Sequence, residues 1–418
     1  MLSTGTCFSL MRSLLAVGML AGTMTLPGMA HASANHALWT YRDSSSEGVQ
    51  FRCTTPQLNK LLPAMSAYLY RQGVSSGWIH RELDAQKGVV TYALTTPATD
   101  TDTLSLSTRP EYQISSETIT LNDAQGVEYQ VSTVSKKEII LALFQHGRVT
   151  RFEGKACDIE AFKDHVGVRQ NTVAWAQHLE WGWPDGGPAK WNSKFWVKGS
   201  LVHLNKVNEA LHDAFVNQSD YEIGCYTASK LVMAHGVLDY YSRVKKNKKL
   251  AKLVQQRLLG EDNEPLVNLE PGVMWDFEAE FEPSEERRAG KLLNIQYGVA
   301  PGNFVPGDWG YFLNTDPVSY EKTGYEGSNA IYLGGNKFDD YYNDNEHSYT
   351  YKQKLDEVWQ WRHGVFSRSR DAAKIQPITA EELSALSQHP ESGGLLTDLR
   401  VYPYLFGYEK LPKLIHVK

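Results

Sequence analysis

Four cysteines, Cys7, Cys53, Cys157 and Cys225, constrain this chain more than any other residue type. The first stands in a segment with the three parts of a secretory signal. Arg12 supplies the charged start, an apolar run extends from Leu14 to Met24, and Ala30-His31-Ala32 offers small residues before Ser33. The run is about a dozen residues, too short for a helix across a hydrocarbon core of roughly 30 Å. Cleavage after Ala32 would remove Cys7 and deliver the rest to an oxidising compartment, periplasmic or secreted. Of the three remaining cysteines two can pair and one is left over. Cys53 and Cys157 lie in N-terminal segments rich in strand formers, which predicts a disulfide between them and a reduced Cys225.

The rest of the composition describes a globular chain. With 418 residues, 42% of them hydrophobic and 22% charged, there is material for a sizeable core and for two domains. A net charge of -6 gives no reason to expect a nucleic-acid partner. The basic run Arg243 to Lys249 reads as a solvated helix face. No later stretch approaches the roughly 18 apolar residues of a membrane span, so none is expected after signal removal.

Periodicity and punctuation divide the chain into the signal (1–32), an N-terminal α+β accessory domain (33–155), a tryptophan-rich connection (156–200) and a catalytic domain (201–418). In the second part, Thr54-Thr55-Pro56 opens a helix running through Leu69, with Pro56 at the first turn. Strands are expected at 88–95, 118–121, 129–131 and 138–144. The connection holds Trp175, Trp181, Trp183, Trp191 and Trp196, read either as core or as an aromatic platform for a sugar or peptide. Beyond it, a helix from Cys225 to about Tyr241 carries Ala228, Leu231, Val232, Val237 and Leu238 on an apolar face. A second helix runs from Leu250 to Leu259 and closes at Gly260. Strands follow at 309–313 and 330–333, and Thr379 with Glu382 forms a capping box for a helix through Leu386.

Cys225 follows Tyr221-Glu-Ile-Gly224 and opens the helical pattern directly, which puts its sulfur at a helix N-terminus. Unpaired N–H groups and the positive dipole end favour a thiolate there, and thiolate is the nucleophilic form. Such a nucleophile needs a base or imidazolium partner distant in sequence. His235 is ten residues along the same helix, roughly 15 Å away, and cannot reach. His347, in the polar loop 339–348, is preferred over His363, which belongs to a helical pattern.

Two further segments carry a resemblance. Phe304-Val-Pro-Gly-Asp-Trp-Gly-Tyr-Phe-Leu-Asn314 and Tyr325-Glu-Gly-Ser-Asn-Ala-Ile-Tyr-Leu-Gly-Gly335 are similar to the best-marked stretches of the spore-coat-type bacterial protein-glutamine gamma-glutamyltransferases. Cys225-Tyr-Thr-Ala228 and the paired Tyr240-Tyr241 resemble that family's nucleophile helix. The likeness spans roughly residues 215 to 350. It implies a nucleophilic cysteine, a catalytic glutamate at the place of Ser328 and a histidine at the place of Tyr341. Because those two places differ here, Glu326, two residues before, and His347, in a longer loop, become the candidates for acid/base work.

The resemblance implies an α+β fold with a papain-like core, in which the nucleophile's helix packs on an antiparallel sheet. It implies acyl transfer from a glutamine side chain to a lysine amine or to water through a cysteine thioester. The partner is a protein with accessible glutamine and lysine side chains, and no cofactor or metal is called for. Two alternatives stay open: a cysteine peptidase or amidase acting on cell-wall or protein substrates, and a non-catalytic exported binding protein.

Overall fold

The computed structural model describes residues 47–182, 188–197, 199–258, 294–296, 299, 302–314, 316, 318–319, 327–340, 348–365, 373–383 and 395–401. The signal, Trp183, Gly260 and Leu386 lie outside the described residues. In chain order the elements are β1 (Gly48–Arg52), α1 (Thr55–Arg71), β2 (Ile79–Asp84), β3 (Val89–Leu94), β4 (Glu117–Asn122), β5 (Glu128–Thr133), α2 (Lys136–Phe144), β6 (Val149–Glu153), α3 (Ile159–Ala176), β7 (Trp196–Val197) and β8 (Ser200–Leu201). They continue with α4 (Val207–Val216), α5 (Cys225–Asp239), α6 (Lys248–Leu258), β9 (Asn294–Gln296), β10 (Trp309–Asn314), β11 (Gly327–Gly334), β12 (Lys337–Asp339), β13 (Ser348–Tyr349), α7 (Tyr351–Trp361) and β14 (Leu395–Val401).

Helix α1 starts as its sequence indicates. Thr54 and Gln57 form a capping box, and Pro56 occupies the first turn, where no N–H is needed. The strand expected at 138–144 is instead helix α2. Ser135 caps it by accepting from the Glu138 N–H, and every residue from Glu138 to Phe144 is buried. An apolar run hidden on all sides carries no two-residue or four-residue period, so the cap decides what the pattern leaves undecided.

A four-stranded sheet runs in the order β2-β3-β1-β6, with β1 and β6 parallel. Cys53 and Cys157 follow the adjacent C-terminal ends of this parallel pair, and the expected disulfide joins them with Cα atoms 5.6 Å apart. A six-stranded sheet has the order β13-β12-β11-β10-β14-β9 and is antiparallel throughout. Alternation along β10 and β11 separates its faces. Trp309, Ile331 and Leu333 join the apolar core that includes α3, α4 and α5. Phe312, Ala330 and Tyr332 pack with Phe338 and with Leu355, Val358 and Trp361 of α7.

Helix α3 is the centre of the first core, with fifteen of its residues buried from Ala161 to Ala176. It lies so close to α5 that a Cβ on Gly236 would come within 2.1 Å of the Thr172 hydroxyl. A larger residue there would push α5, and Cys225 with it, away from α3. Arg243 and Lys245 also turn inward, a correction to their reading as a solvated face. Arg243 pairs with Asp239 at 2.6 Å, and Lys245 reaches Asp164 at 2.7 Å and Glu160 at 3.2 Å.

One ion triad ties these layers together. Asp308, at the entry to β10, is wholly buried and accepts from Arg148 at 2.6 Å and from Arg169 of α3 at 2.8 Å. Its Oδ2 also accepts from the Val305 N–H at 2.8 Å, closing the Pro306-Gly307 turn. Gly307 has φ +87°, and its missing side chain leaves room for the Arg169 backbone. Burial by itself would raise the Asp308 pKa, but the two guanidinium groups outweigh it and hold the carboxyl below its ordinary range.

Removing the charge while keeping the shape, by Asp308→Asn, leaves two buried cations without their counter-charge. We expect a loss of about 3–5 kcal/mol in chemical denaturation. A midpoint equal to that of the parent would contradict this account of the triad.

Candidate active site

The segment leading to Cys225 is held before the helix begins. Glu222 exchanges backbone hydrogen bonds with Lys190 at 2.9 and 3.1 Å, and the Ile223 N–H donates to Gly182 at 2.9 Å. The Tyr221 hydroxyl donates to Asp213 of α4 at 2.6 Å. The strand-like stretch 221–223 is thereby clamped between two passes of the tryptophan-rich connection. Gly224 is the N-cap residue, with extended φ -69° and ψ 155°, and Cys225 is the first residue of α5. Its sulfur therefore sits at the end where the first turn of N–H groups is unpaired within the helix.

Cys225 is free, as predicted, and partly exposed. Its sulfur accepts a hydrogen bond from Asn329 Nδ2 of β11 at 3.5 Å. The amide cannot turn over without loss, because Asn329 Oδ1 accepts from the Trp309 indole N–H of β10 at 2.8 Å. Trp309 and Asn329 are buried, so the amide group approaches the sulfur from within the protein. This is a thiol at a helix N-terminus with a fixed N–H donor beside it, an arrangement suited to nucleophilic attack on a carbonyl carbon.

The structure brings together some of the sequence candidates and not others. Glu326, His347 and Tyr341 lie outside the described residues. Ser328 is buried on the α7 face of β11, where its hydroxyl accepts from Lys354 at 3.0 Å. His363 follows the end of α7, with its ring against Trp359 at 5.4 Å. His235 is sealed among Trp175, Phe215 and His212, as expected for a histidine unable to reach Cys225. Trp175, Trp181 and Trp196 are core residues rather than an exposed platform, and Trp191 packs against Trp196.

Sequence reasoning missed Asn329, Trp309 and Lys354 as site residues. Asn329 and Trp309 stood inside the two quoted motifs, but nothing local shows that their side chains meet. Lys354 carried one signal: a lysine with Glu357 three residues on, inside an otherwise amphipathic helix.

Burial pushes the His235 pKa down from 6.5 to about 3. The unfolded chain binds this proton below about 6.5 and the folded chain does not. Its contribution to stability is therefore complete above that pH and is lost as the pH falls towards 3. His235→Phe should flatten the acid limb of urea-midpoint stability by up to about 1.4 kcal/mol per pH unit. An unchanged acid slope would show that His235 takes no part in it.

The family model described as protein-glutamine gamma-glutamyltransferase matches residues 112–344, more than half of the chain. Among solved structures, a transglutaminase from Geobacillus stearothermophilus, without its C-terminal extension, is similar at 16% identity. That match covers 61% of this chain and 97% of the other, with a TM-score of 0.32. Curated proteins yield no match.

Proposed function

Because the chain belongs to the protein-glutamine gamma-glutamyltransferase family, we propose that it transfers the acyl group of a protein glutamine through a thioester on Cys225. The observation that carries this reading is the unpaired cysteine at the start of α5 with the Asn329 amide donating to its sulfur. The Cys225 thiolate attacks the carboxamide carbon, and N–H groups at the helix start stabilise the oxyanion. The C–N bond then breaks, and ammonia departs with a proton delivered by His347 or Glu326. A lysine amine next attacks the thioester, the C–S bond breaks, and the thiolate returns with an isopeptide left behind. Water in place of the amine gives glutamate.

We place this chemistry in a papain-like core, formed by α5 packed on the antiparallel sheet through β11, with residues 33–155 as an accessory region. We also infer export. Its support is the signal pattern of residues 1–32, the disulfide between Cys53 and Cys157, and the absence among described residues of any helix long and apolar enough to cross a membrane. The substrate is a protein presenting glutamine, as the family implies.

The test is incubation of the mature protein with a glutamine-bearing protein and a tagged primary amine. Cys225→Ala should abolish incorporation, and His347→Ala should depress it strongly. Loss of the sulfur's hydrogen bond in Asn329→Ala should lower incorporation by roughly ten- to a hundredfold. Ammonia release without amine incorporation would replace transfer with amidase chemistry. Full incorporation by Cys225→Ala would remove the thioester mechanism altogether.

A further inference from the structure

A second group of ionic side chains lies behind the candidate nucleophile, and nothing in the acyl-transfer scheme above uses it. Lys354 of α7 is entirely buried, as is Asp340 at the end of β12. The Lys354 ammonium lies 2.5 Å from Glu357 Oε2, 3.4 Å from Asp340 Oδ2 and 3.0 Å from Ser328 Oγ. It also stands over the ring of Tyr349 in β13, 4.7 Å from the centroid. Burying an ammonium and two carboxylates costs several kcal/mol per ion before pairing, and an apolar trio would fill the same core more cheaply. The neighbours Leu355 and Val358 on the same helix show that the site is otherwise apolar.

The position of the cluster indicates what it does. Ser328 and Asn329 are consecutive on β11, so their side chains leave opposite faces of the strand. Lys354 holds Ser328 from the α7 face, and Trp309 holds Asn329 from the α5 face. The dipeptide that presents an N–H to Cys225 is thus fixed from both sides. Burial works against the Lys354 proton, while Glu357 and Asp340 help to retain it, and its pKa is raised.

We propose that Lys354 is a positioning residue of the acyl-transfer site, whose buried ammonium, by holding Ser328, fixes the Ser328-Asn329 dipeptide and with it the N–H that Asn329 donates to the Cys225 sulfur. This inference rests on the acyl-transfer reading for its meaning, but its physical content concerns the sulfur alone. The groups facing the cation come from four elements: Ser328 on β11, Asp340 beyond β12, Tyr349 on β13 and Glu357 on α7 itself.

Alkylation of Cys225 by iodoacetamide tests this without any substrate. Lys354→Met keeps the length of the side chain and removes its charge. The double variant Lys354→Met with Glu357→Gln also removes a carboxylate that would otherwise be stranded, so that a folded protein is available for measurement. Both are checked for folding by thermal melting, and alkylation is followed across pH beside the parent and Glu357→Gln. With the Asn329 donor no longer held against the sulfur, the expected result is a profile moved to higher pH by about one unit whenever Lys354 is lost, an approximately tenfold slower reaction at neutral pH. Glu357→Gln alone should not show that displacement. A merely structural lysine would lower the melting temperature and leave the profile in place. Profiles that coincide with the parent's in a folded variant, while the parent incorporates amine, overturn this proposal and spare the transferase reading. A parent that incorporates no amine overturns the transferase reading instead.

Discussion

The buried contact of Asp308 with Arg148 and Arg169 is the interaction on which the rest of the arrangement depends. Arg148 leads into β6 of the first sheet, Arg169 belongs to the central helix α3, and Asp308 opens β10 of the second sheet. Three charges taken out of water contribute little net stability compared with an apolar cluster of the same volume. What they contribute is direction: a carboxylate buried between two guanidinium groups is satisfied in one alignment of β10 on α3 and penalised in any other. The same carboxylate shapes the Pro306-Gly307 turn. Asn303 reinforces the alignment by donating to the carbonyls of Thr101 and His146.

From that anchored strand the geometry of the sulfur follows by short steps. Trp309 is the residue after Asp308 and stands opposite Ile331 in the register of β10 with β11. Its indole N–H fixes the Asn329 amide, and the amide reaches Cys225. From the other direction, the close approach of α5 to α3 at Gly236 and the clamp around Glu222 hold the start of α5. The Cys225 sulfur is therefore positioned by backbone contacts and its neighbour by side-chain contacts. The two sets originate in different layers and converge at one hydrogen bond.

Much of the architecture was legible because it is written in local patterns. Pro56 and Thr54 announce α1, and the helical pattern that begins at Cys225 announces α5. The capping box of Thr379 and Glu382 also forms as written. The misreadings share one cause. Residues 138–144 and, within an otherwise exposed basic run, Arg243 and Lys245 owe their state to what surrounds them. A uniformly buried segment has no amphipathic period, and a basic residue that folds back onto Asp239 looks in sequence like any solvated lysine or arginine.

By itself, the sequence determined that one cysteine is left over once the signal is removed and that a helical pattern opens at Cys225, and it predicted, without fixing, the pairing of Cys53 with Cys157. These conclusions need only cysteine parity, strand-forming flanks and a helical period that begins at one residue. Tertiary structure alone decided which groups surround the sulfur. Asn329 is 104 residues from Cys225, and Lys354 reaches Ser328 across 26 residues and from another face of the sheet. Helical and strand periods specify the face a side chain occupies, not the distant side chain it meets there. That meeting is set by sheet register and by the packing of α3, α5 and α7 against it, which no window of adjacent residues contains.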